Sequence, residues 1–143
     1  MGQQQLLLIV LGVIIVGIAV VVGINLFNAN AEASTQDSIV SQGTNIGALA
    51  QQYYKKPVSM GGGGNDFTPE EAGATTFEQY WASLPENLKV SSDADWTKTA
   101  PVVTDSQVVF TAHPLDPGYG WTVTTTVTPT QINSKVNNTP STP

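Results

Sequence analysis

An uncharged run at the N-terminus constrains this chain more than any other feature. The chain has 143 residues, and its first charged side chain is Glu32. The segment from Leu6 to Phe27 is apolar apart from its glycines and Asn25, and as a helix it would measure about 33 Å. Such a helix spans a bilayer, whereas the remaining residues are too few to bury it in a soluble core. The segment therefore predicts a helix that lies in a membrane or among other helices.

A secretory signal peptide is the alternative explanation for this run. No Lys or Arg precedes the run, which is longer than the usual apolar region of about 7 to 15 residues. The residues after Phe27 are only loosely similar to a cleavage site. We therefore expect the segment to be retained in the mature protein.

Small residues recur along one side of this predicted helix. Gly12, Val16, Ala19 and Gly23 follow one another at spacings of four, three and four, which places them on one stripe. Glycine is common in membrane helices in general, but a stripe of small residues lets a second helix approach closely. The predicted helix-packing positions, called the packing stripe below, are Leu8, Gly12, Val16, Ala19, Gly23 and Phe27.

The same helix is predicted to continue well beyond the apolar run. Residues 28–54 contain no Pro, and apolar residues recur there at helical intervals. Polar residues fill the opposite face, so this half is amphipathic. The chain then reaches Lys55 and Pro57, which favour a helix end. The apolar positions assigned to the core are Ile39, Ile46, Leu49 and Tyr53.

Two shorter features follow the long helix. Four consecutive glycines, Gly61–Gly64, predict a tight connection with an exposed backbone. They do not match a phosphate-binding loop, which requires a following Lys and Ser or Thr. Next, Thr68 is the expected N-cap of a short helix that Pro85 ends, with Phe77 and Trp81 on its core face.

The last third of the chain has the period of two that is typical of strands. Residues 107–113 and 120–130 predict a β-hairpin in which Trp121 is a core position. The sequence Asn-Leu-Lys-Val-Ser around Leu88 is a candidate third strand. The polar tail, 133–143, is expected to be frayed or extended unless a neighbour holds it.

Together these features predict an α+β fold. One long helix over about residues 3–54 packs its C-terminal half against a small antiparallel sheet, with one short additional helix. The expected segments are a hydrophobic half-helix (1–28), an amphipathic half-helix (29–56), a small globular part (57–132) and a polar tail (133–143).

Composition argues against catalysis and nucleic-acid binding. The net charge is -6, with eleven acidic residues, so a phosphate backbone is a poor partner. The chain has no Cys, and its one His, His113, has no recognisable nucleophile beside it in the sequence. We expect no enzyme activity, cofactor or metal. The acids considered for Ca²⁺ are Asp93, Asp95, Asp105 and Asp116, which lack the EF-hand pattern, and Asn137 formally matches a glycosylation acceptor.

In its architecture the chain resembles a type IV pilin or pilin-like filament subunit. The resemblance rests on the uncharged apolar helix, strongest from Gln3 to Tyr54, that continues into an amphipathic half and then a small sheet. It implies a bacterial protein held in the inner membrane, moved by pilus assembly machinery into a helical filament of identical copies, and displayed outside the cell. It also implies that the apolar half-helix packs in the filament core.

The chain departs from the pilin pattern at several positions. It has no basic leader, no Pro in the apolar half and no disulfide-bounded loop. Pilins carry a Glu near the mature N-terminus that pairs with a neighbour's amine, and if this chain starts at Met1, Gln5 occupies that place. The resemblance then implies an N-terminal pairing of Met1 and Gln5 without charge assistance. If cleavage instead follows Gly2, Leu7 occupies that place and the pairing is lost, and we prefer the first alternative.

Two other functions remain open at this point. One is a minor pilin or a pseudopilin of a secretion system, which acts at the membrane without long fibres. The other is a single-pass membrane-anchored binding module, with a ligand site at the surfaces of Trp81, Trp96 and Trp121. The lack of flanking Lys or Arg before the apolar run weakens the anchor hypothesis.

Overall fold

A computed structural model describes residues 2–138 of the chain. The fold is α+β, with one long N-terminal helix, a five-stranded antiparallel sheet and short extra helices. The chain divides into two units, Met1–Ser34 and Thr35–Pro143, called the N-terminal unit and the C-terminal unit below. The helices are α1 (Gln3–Lys55), α2 (Phe77–Ser83), α3 (Glu86–Lys89) and a 3₁₀ helix (Val58–Met60). The strands are β1 (Ala94–Asp95), β2 (Val102–Thr104), β3 (Gln107–Pro114), β4 (Thr122–Val127) and β5 (Ile132–Asn137).

Strand β3 is the centre of the sheet. It pairs on one side with β4, which pairs in turn with β5, and on the other side with β1 and β2. All of these pairings are antiparallel. Buried and half-buried residues alternate along β3 and β4, as the pleat of a sheet with one covered face requires. The predicted hairpin is therefore present.

The part of α1 that belongs to the C-terminal unit packs on the covered face of the sheet. Its buried residues fall on one stripe and are Ile39, Gly43, Ile46, Gly47, Ala50 and Tyr53. Two of them are glycines because the sheet lies very close. A Cβ at Gly43 would fall on Thr125 Oγ1, and one at Gly47 would lie 2.8 Å from Ile132 Cγ2.

The four-glycine connection caps the C-terminus of α1. The N–H groups of Gly63 and Asn65 donate to the carbonyls of Tyr53 and Tyr54 at 2.8 and 2.6 Å. Helix ends leave such carbonyls without intrahelical partners. Gly62 and Gly63 are buried, so the expectation of an exposed backbone is wrong for these two residues. Because the loop folds onto the helix end, it has no room for side chains there.

The short helix begins later than predicted. Thr76, and not Thr68, is its N-cap, with a capping box in which the Thr76 hydroxyl accepts from the Gln79 N–H. The Thr68 hydroxyl donates to Asp105 Oδ1 at 2.7 Å. Between Thr68 and Thr76, Gly73 has a φ of 87°, which is not compatible with a continuous right-handed helix. A Thr followed by acidic residues therefore predicts an N-cap only where the backbone after it is helical.

Two further expectations are corrected in the second half of the chain. The residues around Leu88 form helix α3 and not a strand, and only Val90 makes an isolated bridge, to Asp95. The first residues of the polar tail are not frayed, since β5 pairs with β4 along its whole length from Ile132 to Asn137. Residues 139–143 of the predicted tail lie outside the described residues.

Candidate functional site

The candidate site is the apolar first part of α1. Its 17 large apolar side chains from Leu6 to Phe27 are each 50–74% exposed. Burying one such side chain stabilises a protein by about 1.5–3 kcal/mol. With all of them in water, tens of kcal/mol of burial free energy are lost. That loss exceeds a domain's usual net free energy of unfolding of about 5–15 kcal/mol. By length and composition α1 can cross a membrane. This surface requires a lipid or protein environment.

The packing stripe is exposed along its whole length. Leu8, Val16 and Phe27 are 67%, 61% and 74% exposed. Cβ atoms built at Gly12 and Gly23 would have nothing within 4 Å, and the same holds for Gly17 on another face of the helix. No other residue in the described part of the chain therefore accounts for these three glycines, in contrast to Gly43 and Gly47.

The N-terminal pairing lies partly outside the structure. Gln5 is in the first turns of α1 and is exposed, where its side-chain amide is accessible to another molecule. The Leu6 N–H donates to the Gly2 carbonyl at 3.0 Å, which starts the helical hydrogen bonding. Met1 lies outside the described residues.

The residues assigned to the core by sequence lie mostly in one hydrophobic cluster. Leu49 is only half-buried, and its carbonyl accepts from the Tyr80 hydroxyl at 3.1 Å. Tyr53 meets the Phe77 ring edge-on at a centroid distance of 5.2 Å. The buried members among the assigned residues are Ile39, Ile46, Tyr53, Phe77, Trp81 and Trp121.

The three tryptophans do not form a ligand surface. Trp81, Trp96 and Trp121 are 9%, 1% and 4% exposed. The Trp96 indole N–H donates to Gln42 of α1 at 3.4 Å, and Trp121 stacks on Tyr119 with centroids 5.3 Å apart. They pack inside the C-terminal unit, so their rings are not presented at its surface.

His113 is the one imidazole, and it lies at the β1 edge of the sheet. Its Nε2 atom is 2.8 Å from the Thr99 hydroxyl, and Asp95 is its cross-strand partner. Burial lowers the pKa of His113, the nearby Lys98 lowers it further, and Asp95 opposes both.

The acids considered for calcium accept hydrogen bonds from separate partners and do not converge on a common centre. Asp93 accepts from Ser38 of α1 at 2.6 Å, and Asp116 accepts from the Gly118 N–H at 2.8 Å. Burial alone would raise the pKa of Asp95, but hydrogen bonds from Thr97 outweigh it and hold the pKa below its usual range. Within residues 2–138, no group of three or more acidic, His or Cys side chains is placed to hold a metal ion.

The glycosylation acceptor Asn137 is part of β5. Its side-chain amide donates to the Thr124 hydroxyl at 2.6 Å. The third residue of the acceptor pattern, Thr139, lies outside the described residues.

Sequence reasoning places Gly43 and Gly47 on the apolar stripe of the amphipathic half of α1, and the structure confirms that both are buried. It does not predict how closely they approach the sheet. The signal for that approach is their spacing of four residues, which is the same small-residue spacing as in the apolar half.

Comparison of the chain with protein-family models, with curated proteins and with solved structures finds no match.

Proposed function

We propose that this chain is the structural subunit of an extracellular, pilus-like helical filament. The observation that carries the proposal is that the exposed, charge-free segment and the segment packed on the sheet belong to one continuous helix, Gln3–Lys55. Before assembly the apolar segment lies in the inner membrane. Pilus assembly machinery then transfers it into a core built from copies of itself.

The absence of charge supports burial among identical copies. No charged residue precedes Glu32. In a filament core, one unpaired charge would be repeated in every subunit, and each would cost several kcal/mol of desolvation.

The glycines of the packing stripe support close helix contacts. A glycine inside a helix costs about 0.8–1.0 kcal/mol relative to Ala, and small residues are favoured where helix backbones approach each other. Beyond their own helix turn, no described residue lies within 4 Å of a Cβ placed at Gly12 or Gly23. In the filament, the apolar helices of neighbouring copies pack closely against Gly12 and Gly23. In the same filament, Gln5 accepts a hydrogen bond from the Met1 amine of a neighbour.

A membrane-resident relative of such subunits is the second candidate. The same helix is long and apolar enough to cross a bilayer by itself. As a minor pilin or pseudopilin of a secretion system, the chain would keep its apolar segment in lipid and act through its C-terminal unit, without long fibres.

Shearing of the producing cells separates the two candidates. Mass spectrometry of the sheared extracellular fraction and of the membrane fraction measures how much of the chain each contains and where its mature N-terminus lies. The filament proposal predicts this chain as a main component of the sheared fraction. Recovery only from the membrane fraction, under conditions in which surface fibres are seen, would favour the second candidate.

A further inference from the structure

The face of α1 that points away from the sheet is exposed to water in the C-terminal unit. Its exposed residues, called the free face below, are Asp37, Ser41, Thr44, Asn45, Ala48, Gln52 and Lys55. They lie on the side of the helix opposite the buried stripe that begins at Ile39. No charged residue occurs between Asp37 and Lys55. The centre of the free face is therefore uncharged and uncovered by other described residues.

Opposite charges lie at the two ends of the free face. Asp37 and Lys55 are 18 residues apart, which is about five helical turns, so both side chains lie on the same side of α1 at a separation of about 27 Å. Neither charged group has a hydrogen-bond or ion-pair partner among residues 2–138. Both charges are therefore available to another molecule.

This arrangement of charges is complementary to itself in one orientation. In an antiparallel pair of free faces centred on residue 46, Asp37 of each copy lies beside Lys55 of the other, which gives two ion pairs. A parallel pair in register would place like charges beside each other. A parallel pair shifted by 18 residues would join one Asp37 to one Lys55 but would separate the centres of the two faces. The antiparallel pair alone satisfies both charges and keeps the faces in contact.

The centre of the free face allows close approach of another helix. Thr44 and Ala48 lie opposite each other in the antiparallel pair, and short side chains let two helix axes approach to about 8 Å. Leu88 of α3 lies beside this region, since it lines a shallow depression together with Asn45 and Leu49. Its side chain is 47% exposed. A helix docked at the centre of the free face would also cover this apolar side chain.

We propose that the free face of α1 binds the free face of a second copy in an antiparallel, two-fold symmetric pair. The same patch then serves both copies, as in two-fold dimers in general. The pairing rests on residues of the C-terminal unit and does not depend on the proposed filament. In that filament, copies that run antiparallel belong to two different fibres, so the contact would join fibres laterally and its repetition along them would strengthen it.

Disulfide cross-linking of single-cysteine variants tests the orientation. The chain has no Cys, so Ser41→Cys and Gln52→Cys each introduce one thiol on the free face. The two full-length variants are mixed in a detergent excess that leaves about one chain per micelle. Mass spectrometry then measures each disulfide-linked dimer during air oxidation.

The expected product is the mixed disulfide. In the antiparallel pair, position 41 of one copy lies next to position 52 of the other, whereas two copies of the same position are about 15–18 Å apart along the helix axis. A disulfide requires Cα atoms within about 7 Å. We therefore expect the mixed disulfide to form at least about fivefold faster than either homodimer.

Charge variants in the cysteine-containing chains test the ion pairs. Asp37→Lys and Lys55→Asp should each slow formation of the mixed disulfide about tenfold at low ionic strength, because each places like charges at both ends of the pair. A chain with both changes should regain the rate, since the opposite charges are exchanged and not lost.

Lys135→Asp is the matched control for Lys55→Asp. Lys135 is exposed on β5, and it lies on the sheet face away from α1, because the adjacent Ser134 faces Gly43. This variant should change the rate by less than about twofold.

Three results would overturn the proposal. Homodimers that form faster than the mixed disulfide would indicate a parallel pair. A mixed disulfide no faster than that between Ser41→Cys and Asn133→Cys, on the far face of the sheet, would indicate random collision. Equal rates for the two α1 charge variants and Lys135→Asp would show that these charges do not determine the contact. None of these measurements requires fibres, so failure of the pairing is distinguishable from failure of the filament proposal.

Discussion

At the scale of single residues, the glycines of α1 fall into two groups. Gly43 and Gly47 lie against the sheet, where a Cβ would collide with Thr125 or Ile132. Gly12, Gly17 and Gly23 have open space around them. The same residue type therefore has a packing explanation at Gly43 and Gly47, whereas the described residues supply none at the other three positions.

Substitution of Gly43 by Ala should destabilise the C-terminal unit. The new methyl group would fall on Thr125 Oγ1 and lie 3.0 Å from Trp96 Cη2, and such overpacking costs about 1–3 kcal/mol. The measurement is urea unfolding of the full chain in micelles, followed by tryptophan fluorescence. Gly12→Ala is the matched control, since it adds the same methyl group in open space. An equal midpoint for Gly43→Ala and the control would contradict the close packing of α1 on the sheet.

The pH dependence of stability should include a contribution from His113. Burial lowers the pKa of its imidazole, Lys98 adds to this effect and Asp95 opposes it. The unfolded chain therefore binds a proton at higher pH than the folded chain does. The stabilisation is present above the unfolded pKa of about 6.5 and is lost as the pH falls through that value towards the lower folded pKa.

His113→Gln tests this contribution because Gln keeps an acceptor for Thr99 but does not titrate. We expect the urea midpoint to fall less between about pH 7 and pH 5 in the variant than in the parent chain. Identical slopes for the two proteins would contradict the lowered pKa.

At the scale of elements, some parts of the fold follow from local pattern and others do not. Helix α1 could be predicted to within one residue of its end at Lys55, because helical periodicity persists without Pro. The hairpin of β3 and β4 could be predicted because its apolar residues alternate. Strand β5 could not, because its polar residues carry no such alternation, and it is held by pairing with β4.

The start of α2 and the burial of the glycine connection are two further features that local sequence patterns do not predict. Thr68 and Thr76 are both cap-forming residues, and only tertiary contacts distinguish them, since Thr68 bonds to Asp105, 37 residues away. The run Gly61–Gly64 predicts a loop but not its burial against the end of α1. Long-range hydrogen bonds decide both cases, and a local pattern does not contain them.

On the apolar element, Gly23→Leu should block assembly of the filament. A Leu on the packing stripe would keep neighbouring helices apart. Gly17→Leu is the matched control, because it makes the same change in the same open surroundings but off the stripe. The measurement is the number of surface fibres per cell by negative-stain electron microscopy, together with the fluorescence of the purified C-terminal unit. Normal fibres with Gly23→Leu would count against the packing stripe.

At the scale of the whole molecule, the two units differ in whether their apolar side chains are buried or exposed to water. The C-terminal unit encloses a core that begins at Ile39, and in the described residues before it no side chain is buried. In the described part of the N-terminal unit every side chain except that of the half-buried Glu32 is exposed, and those from Leu6 to Phe27 are apolar apart from Asn25. Sequence pattern identified this apolar segment, because composition determines which solvent a helix requires, and the packing stripe stays a prediction. It could not identify what covers the segment, since that is a property of an assembly.

Removal of residues 1–34 should leave a folded, soluble C-terminal unit. All buried core residues remain in such a variant, and the apolar surface that requires lipid or protein is gone. Size-exclusion chromatography without detergent should show a monomer, and its tryptophan fluorescence should match that of the full chain in micelles. Aggregation or a red-shifted, unfolded spectrum would indicate that the N-terminal unit contributes to folding.

In the proposed filament, the apolar segment of each copy is buried among the apolar segments of other copies. Helical reconstruction by cryo-electron microscopy of fibres sheared from the producing cells would show this packing. We expect a fibre of this chain with Leu6–Phe27 helices in its core, Gly12 and Gly23 at the closest helix contacts and the C-terminal units outside. Fibres of this chain whose core lacks these helices, or cells with abundant chain and no fibres that contain it, would rule out this packing.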